Sequence, residues 1–145
     1  MLIHQIGELP AAASKFLDAY PQGGVFGLTG GLGAGKTTWV KAVVNELVKR
    51  NQTSMPRVVS PSFVVHQSYG TKPPVEHFDF YRLDLKKPTS LIELGYWEAF
   101  EKAHLEKGYV FIEWPEKADI KELRLTSEVL FSFGPKEGDR TIEFS

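Results

Sequence analysis

The chain has 145 residues, a length that fits one domain with a substantial core, and 42% of them are hydrophobic and 24% charged, which is typical of a globular protein. Lys and Arg total 17 against 18 Asp and Glu, a net charge of -1, so no strongly basic field favours direct nucleic-acid binding as the main activity. Cysteine is absent, which excludes disulfides, thiolate zinc sites and cysteine nucleophiles.

The first half of the chain alternates strand and helix patterns. Residues 2–6 form a candidate strand, and apolar residues at helical spacing predict a helix that begins at Pro10 and ends before Pro21. Residues 25–29 are a short apolar strand that leads into a glycine-rich turn. A helix is then predicted over residues 36–50, and its wide apolar face is typical of a helix packed against a sheet.

Two extended segments follow a predicted polar loop at residues 51–57. The segment 58–69 is interrupted by Pro61, whereas residues 75–83 alternate regularly and form the clearest strand of the chain. Because only a short turn with the sequence KPP separates the two segments, we expect them to pair as antiparallel strands.

The remaining elements complete an α/β pattern. Pro88 begins another predicted helix, whose core-facing stripe consists of Leu91, Leu94, Trp97 and Phe100. The apolar run 109–112 is typical of a strand buried on both faces, and residues 128–133 and 140–144 predict a C-terminal β-hairpin around GPKEGD. We therefore predict a single α/β domain over residues 1–145, in which the layered sheet has a parallel centre and antiparallel additions.

The chain lacks patterns for export or membrane insertion. Its amino terminus, MLIHQIGELPAAASKFL, has neither the basic start nor the long apolar run of a signal peptide. Apolar runs elsewhere are far shorter than the roughly 20 residues that span a bilayer. We therefore expect a cytoplasmic protein that does not act on a membrane.

The glycine-rich turn GGLGAGKT matches the phosphate-binding P-loop pattern GxxxxGK[ST], in the required place between a strand and a helix. Backbone N–H groups and the positive end of the next helix hold phosphates there, and we expect the glycines to provide positive φ angles and close backbone approach. The expected nucleotide-binding residues are Gly30, Gly31, Leu32, Gly33, Ala34, Gly35, Lys36, Thr37 and Thr38.

These residues predict a P-loop NTPase-like fold with ATP and Mg²⁺ as cofactors. Lys36 is expected to reach the β- and γ-phosphates, and the Thr37 hydroxyl is expected to complete the magnesium shell. Thr38, on the same helical turn, is expected to contact the α-phosphate.

Such a site also needs an acidic residue on a neighbouring strand to hold magnesium. Glu113 ends the apolar run YVFI, where this carboxylate is expected, although most such sites carry the shorter Asp. The alternative is an ordinary surface glutamate at a strand end. We favour the metal role because a carboxylate at this position can bind Mg²⁺ directly or through water.

Asp79 is the second candidate carboxylate, and it lies among aromatic residues in HFDFYRL. A charge in such surroundings is costly unless it is paired or holds a cation. A structural interpretation is an internal ion pair, for which Arg82 is available. The functional interpretation is a residue that orients the attacking water or the magnesium shell.

Two further residue types near this site are ambiguous. Trp114 follows Glu113 and is either a cap on the core or a docking surface for a partner. The four histidines, at positions 4, 66, 77 and 104, lack metal-ligand spacing, so we interpret all of them as structural. His77 nevertheless shares a predicted strand face with Asp79 and could form a hydrogen bond there.

Five segments, in order, resemble the TsaE family of small bacterial ATPases that serve the synthesis of threonylcarbamoyladenosine in tRNA. They are LTGGLGAGKTT at 28–38, SPSF at 60–63, HFDFYRL at 77–83, ELG at 93–95 and IEWPEK at 112–117. The combination of HFDxYRL and EWP downstream of this P-loop is highly specific, and the segments span most of the chain.

The resemblance implies a role for individual residues of the hydrolysis site. Lys36 and Thr37 resemble the residues that bind phosphate and magnesium, and Glu113 resembles the second metal-binding position. Asp79 matches a family aspartate implicated in hydrolysis, so the resemblance implies that Asp79, Glu113 and Lys36 are the catalytic residues.

The resemblance also implies roles around that site. Ser60 and Ser62 align with a switch-like loop, Arg140 resembles a basic residue that closes over the nucleotide, and Leu9 matches a region beside the adenine. The chain departs from the family at Gly31, where most members have Asp, and at Ser62, where most have Thr. Loss of that Asp removes a charge beside the phosphates, whereas Ser62 retains the hydroxyl.

Family members do not make the modified base themselves. The resemblance implies that the protein docks onto the TsaB–TsaD heterodimer, which transfers the threonylcarbamoyl group, and that it meets tRNA only through that complex. ATP hydrolysis, weak without partners, would then reset the complex. A minimal domain without an obvious second-substrate pocket fits this role.

Three other functions compete with this interpretation. A small-molecule kinase would need basic residues in a mobile lid, but the chain has only five arginines and no Arg-rich segment. A GTPase switch would need an NKxD-like segment for guanine, which is absent. A module that binds ATP without turnover remains the non-enzymatic alternative.

Overall fold

The computed structural model describes residues 2–3, 6–51, 58–59, 65–87 and 89–144. The strands are β1 (Leu2–Ile3), β2 (Gly24–Thr29), β3 (Val58–Val59), β4 (His66–Tyr69), β5 (Val75–Asp79), β6 (Tyr109–Glu113), β7 (Ser127–Phe133) and β8 (Arg140–Glu143). The α-helices are α1 (Leu9–Ala19), α2 (Lys36–Asn51), α3 (Ser90–Leu94), α4 (Tyr96–Leu105) and α5 (Ile120–Leu123). Short 3₁₀ helices cover Ile6–Glu8 and Pro115–Lys117.

These strands form one mixed sheet in the order β1-β8-β7-β2-β6-β5-β4-β3. The four central strands, β7, β2, β6 and β5, are parallel. Antiparallel strands extend both edges, with β8 and β1 on one side and β4 and β3 on the other. This arrangement confirms the predicted α/β fold with a parallel centre, antiparallel additions and a C-terminal hairpin.

The helices cover both faces of the sheet because the central strands are apolar on both sides. In β6, Tyr109 and Phe111 pack in the core beneath α1 and α2, whereas Val110 and Ile112 pack in the core beneath α4 and α5. All five residues of β6 are buried. This alternation places the last residue of the strand, Glu113, on the face that α2 covers.

Aromatic contacts centre the larger core on Phe16. Its ring, which is fully buried, lies within 4.8–5.7 Å of the ring centroids of Phe26, Trp39, Phe111 and Phe144. Phe16 therefore joins α1 to the sheet and to α2 through edge-to-face and tilted ring pairs, which are favourable geometries beyond simple area burial.

Some predicted element boundaries are wrong. The strand predicted over residues 75–83 ends at Asp79, because the Asp79 carboxylate accepts a hydrogen bond from the backbone N–H of Tyr81 at 3.0 Å and forms a local turn. Of the strand predicted over residues 2–6, the structure has Leu2–Ile3, and a 3₁₀ helix begins at Ile6; residues 4 and 5 lie outside the described residues. The short helix α5, which Asp119 caps, was not predicted.

The helix predicted from Pro88 is also wrong in its continuity. Gly95, at φ 82°, separates α3 from α4. Because of this break, α4 presents a different side to the core than a continuous helix would. As a result Leu91 is buried as expected, but Tyr96, Ala99 and Ala103 replace the rest of the predicted stripe, whose Leu94, Trp97 and Phe100 are only partly buried. Pro88 and the loop residues 52–57 lie outside the described residues, as does Pro61.

In the part of the chain described here, none of the helices is long and apolar enough to cross a membrane.

Truncation of Phe16 should test the larger core. We expect Phe16→Ala to lower the free energy of unfolding by about 3–5 kcal/mol, because it removes a fully buried ring and leaves a cavity between α1 and the sheet. Urea unfolding followed by circular dichroism would measure the change. Leu105→Ala is the control, because its side chain is 73% exposed and its loss should cost about 0.5 kcal/mol or less. Equal effects of both substitutions would contradict this account of the core.

Candidate functional site

A cavity of about 290 Å³ lies where the central parallel strands β2, β6 and β5 end. The carboxyl ends of parallel strands leave backbone and side chains free at one edge of a sheet, which is where α/β folds usually place their sites. The cavity is lined by Leu32, Gly33, Ala34, Gly35, Lys36, Thr37, Thr38, Asp79, Tyr81, Glu113 and Trp114. The sheet therefore brings the predicted P-loop, both candidate carboxylates and Trp114 to a single place.

The glycines of the loop between β2 and α2 serve different purposes. Gly33 and Gly35 have φ angles of 75° and 104°, which side-chain-bearing residues rarely adopt. Gly30 is not at positive φ, but a Cβ there would lie 2.6 Å from the carbonyl oxygen of Phe131. Gly31 has neither a positive φ nor a close neighbour, since the nearest atom to a Cβ there would belong to the Phe133 ring, at 4.0 Å. The expectation of positive φ is thus correct for two of these four glycines.

Lys36 lies inside the loop and is only 5% exposed. Its Nζ donates to the carbonyl oxygen of Gly30 at 2.5 Å and lies 3.6 Å from the ring centroid of Trp114. Burial lowers the pKa of Lys36, although the nearby carboxylates of Glu113, Glu116 and Asp79 oppose this effect. The ammonium therefore lies at the base of the cavity beneath an aromatic ring, a favourable cation–π contact.

Glu113 is a buried carboxylate held by two donors from different elements. The Thr37 hydroxyl, in the first turn of α2, donates to its Oε2 at 2.7 Å, and His77 Nε2 of β5 lies 2.6 Å from the same oxygen. Burial alone would raise the pKa of Glu113, but the hydrogen bonds from His77 and Thr37 and the positive charge nearby lower it overall. Glu113 is therefore ionised at neutral pH.

The donor set of Thr37 and Glu113 fits Mg²⁺. A hydroxyl and a carboxylate are hard oxygen ligands, and Mg²⁺ in nucleotide sites usually takes one or two protein oxygens together with phosphate oxygens and water. Within the described ranges, no group of three or more His, Cys, Asp or Glu side chains is arranged to hold a metal ion.

Asp79 pairs in register with Glu113 at the ends of β5 and β6 and lines the same cavity. Its Oδ1 accepts the backbone N–H of Tyr81, and its carboxylate forms no ion pair with Arg82 among the residues that the structure describes. The internal ion pair considered from the sequence is therefore not formed. Asp79 instead presents a carboxylate to the cavity at the edge opposite the loop.

Trp114 adopts φ 59° and ψ 52°, an uncommon backbone conformation for a bulky residue. This conformation turns the chain sharply after β6, so that the indole packs 5.0 Å from the Tyr81 ring and over the Lys36 ammonium. Strained residues of this kind cluster at functional sites. Trp114 is partly buried against the smaller core and also forms a wall of the cavity.

Arg140 contacts the loop directly, whereas Leu9 lines a groove that adjoins it. Arg140, the first residue of β8, donates through Nη2 and Nε to the carbonyl oxygen of Gly33 at 3.1 and 3.3 Å, and its guanidinium lies 4.6 Å from the Phe133 ring centroid. Leu9 lines a second, more apolar groove of about 430 Å³ between α1 and α2. Thr38 lines both spaces, so the groove adjoins the main cavity.

Ser60 and Ser62, the predicted switch residues, lie outside the described residues. The sequence analysis interpreted His77 as structural with a possible hydrogen bond near Asp79, and it did not identify Glu113 as the partner. The signal was present, since alternation along β5 puts His77 and Asp79 on the same face, but the partner across the sheet becomes known only from the pairing of β5 with β6.

Comparisons with known proteins find a matching family and a similar fold. Residues 3–142 match the sequence model of a family described as "Threonylcarbamoyl adenosine biosynthesis protein TsaE". Among solved structures, the crystal structure of YdiB from Bacillus subtilis is similar, with 25% sequence identity, a TM-score of 0.66, and coverage of 99% of this chain and 82% of that one. No curated protein matches the chain significantly.

Adjacent glycines of the loop offer a test of its packing. Gly30→Ala should lower the free energy of unfolding by about 1–3 kcal/mol, because the new methyl group collides with the backbone of Phe131. Gly31→Ala should change it by about 0.5 kcal/mol or less, since open space surrounds that position. Chemical denaturation of both variants would measure the difference, and a loss at Gly31 as large as at Gly30 would refute the packing described here.

Proposed function

Because the chain belongs to the TsaE family of threonylcarbamoyladenosine biosynthesis, we propose that it binds ATP with Mg²⁺ in the cavity at the ends of β2, β6 and β5 and hydrolyses it to ADP and phosphate. The observation that carries the proposal is the buried Glu113 carboxylate, held 2.7 Å from the Thr37 hydroxyl at the start of the helix that follows the P-loop. Thr37 and Glu113 supply the two protein oxygens that a nucleotide-bound Mg²⁺ would use.

Lys36 and the loop backbone bind the phosphates in this proposal. The ammonium of Lys36, now bonded to the Gly30 carbonyl, exchanges that partner for the β- and γ-phosphate oxygens. Positive φ angles at Gly33 and Gly35 turn successive N–H groups inward, and Thr38 contacts the α-phosphate from the first turn of α2. Bound Mg²⁺ supplies charge neutralisation of the phosphate oxygens.

Asp79 is proposed to orient the attacking water. Its Oδ1 is occupied by the N–H of Tyr81, and no donor among the described residues bonds its Oδ2, which leaves an acceptor at the edge of the cavity. A water held there can be aligned with the γ-phosphate while Lys36 and Glu113, which line the same cavity, act on the phosphates and Mg²⁺. Positioning of this kind supplies much of the catalysis in phosphoryl transfer.

The second groove suits the adenine. Leu9 and Pro10 form one side of it, and it meets the main cavity at Thr38, where the proposed α-phosphate contact lies. A flat, apolar base extending from the phosphates would therefore reach the space between α1 and α2. Arg140, bonded to the Gly33 carbonyl, would cover the phosphates from the side of the C-terminal hairpin.

The proposed ATP hydrolysis would serve a complex of partners. We propose that the protein docks on the TsaB–TsaD heterodimer in the cytoplasm, that the heterodimer performs the transfer to tRNA, and that ATP hydrolysis resets it. Ser60 and Ser62 are proposed to sense the γ-phosphate, and Trp114 is proposed to relay nucleotide binding to the docking surface. The family assignment supports these roles.

Phosphate release is the direct test of the proposed activity. We expect slow release by the chain alone, stimulation by TsaB–TsaD, and loss by at least about 100-fold in Lys36→Ala and Glu113→Ala, because each removes a charge that acts on the phosphates or on Mg²⁺. Lys15→Ala and Glu101→Gln, both at exposed helix positions, are the matched controls. Equal rates for the wild type and the two site variants would contradict the mechanism.

Trp114 provides an optical test of nucleotide binding. Since Lys36 lies 3.6 Å from the Trp114 ring, its transfer to phosphate oxygens should change the indole emission when ATP and Mg²⁺ are added. The change should disappear in Trp114→Phe and persist in Trp97→Phe, because Trp97 packs against the same smaller core but does not line the cavity. A change that survives in Trp114→Phe would show that the contact between Lys36 and Trp114 is not the reporter.

A further inference from the structure

We propose that His77 is a positioning residue, which holds one oxygen of Glu113 so that the other faces Mg²⁺. This inference deepens the function proposed above and rests on it. His77 lies in the middle of a parallel strand pair, away from the loop that binds phosphate, and no role in the proposed reaction has been given to it so far.

The sheet geometry places His77 beside Glu113. His77 pairs in register with Phe111, and Asp79 pairs with Glu113, so the side chains at 77, 79 and 113 project from the same face. His77 and Glu113 are 6% and 4% exposed, and their Nε2 and Oε2 atoms are 2.6 Å apart. The contact is therefore short and shielded from water, which strengthens a charge-assisted hydrogen bond.

The two oxygens of Glu113 are used differently. Thr37 and His77 both donate to Oε2, and Oε1 accepts no hydrogen bond from the residues that the structure describes. One oxygen is thus anchored to α2 and β5, and the other remains available to a ligand in the cavity. An ionised carboxylate only accepts hydrogen bonds, so His77 must carry its hydrogen on Nε2 to donate, as the neutral ring can.

The glutamate itself explains why an anchor is needed. Sites of this type more often carry Asp, and the extra methylene of Glu113 adds a rotatable bond between the strand and the carboxylate. Hydrogen bonds to a metal-binding carboxylate fix its orientation, and their removal typically costs metal affinity. His77 supplies such a bond from the neighbouring strand, in addition to the bond that Thr37 supplies from α2.

The affinity for Mg²⁺ separates positioning from a structural role. We expect His77→Leu, which keeps apolar bulk but removes the donor, to raise the Mg²⁺ concentration needed for tight binding of a fluorescent ATP analogue by about 10–100-fold. In EDTA, His77→Leu should change the affinity for the same analogue by about twofold or less, because the phosphate contacts of Lys36 remain. His77→Gln, which retains a donor, should need a Mg²⁺ concentration close to that of the wild type.

His66→Ala is the matched control, since His66 bonds a different buried carboxylate, that of Glu76, on the other face of the sheet. It should leave the Mg²⁺ dependence unchanged. The positioning role is overturned if His77→Leu binds Mg²⁺ with the affinity of the wild type, if His77→Gln is as impaired as His77→Leu, or if His66→Ala is equally impaired.

A measurement on the wild type covers the case in which the variants do not fold. Nitrogen-15 NMR of the His77 ring should report a hydrogen on Nε2, and its signals should shift when Mg²⁺ joins the ATP complex. A hydrogen on Nδ1 with no response to Mg²⁺ would overturn the proposal.

The outcomes also separate this inference from the proposed function. His77-dependent Mg²⁺ binding without phosphate release, with or without TsaB–TsaD, would leave the positioning role intact and refute the ATPase. Phosphate release together with Mg²⁺ binding that does not depend on His77 would support the ATPase and overturn the positioning role.

Discussion

The buried carboxylate of Glu113 is the interaction on which the other parts of the site depend. Removal of a charge from water is costly unless it is paired and hydrogen-bonded, and here the compensation comes from Thr37 on α2 and His77 on β5, with the Lys36 ammonium nearby. Three elements must therefore be in register at once. A slip of one residue in β6 would turn Glu113 towards α4 and leave the charge without partners.

The loop around Lys36 is closed by residues from distant parts of the chain. Trp114 covers the ammonium from the turn after β6, and Arg140 holds the Gly33 carbonyl from the C-terminal hairpin. Phe131 of β7 packs against Gly30 so closely that no side chain fits there. The hairpin is thus part of the site, because the parallel pairing of β7 with β2 brings it beside the P-loop.

Gly31 marks a difference between this loop and those of the relatives that it resembles. Its φ is not positive, and the nearest neighbour of a Cβ there would be the ring of Phe133 at 4.0 Å, over which the Arg140 guanidinium also lies. A Cβ meets no clash there, so the backbone packing does not require a glycine. Without the aspartate that most members of the family have there, the corner of the loop near Arg140 is more positive, which favours an anionic ligand.

The sequence by itself determined the P-loop, the fold class and the two candidate carboxylates, because each depends on local patterns: glycine spacing between a strand and a helix, alternation along a strand, and an acidic residue at the end of an apolar run. It could not determine the end of β5 at Asp79, the break at Gly95 or the bond between His77 and Glu113. Those features depend on a side chain that forms a turn, on the face that a second helix must bury, and on which strands are neighbours. Tertiary structure decided them, since 36 residues separate His77 from Glu113 along the chain, and only the parallel pairing of β5 with β6 brings their side chains to 2.6 Å.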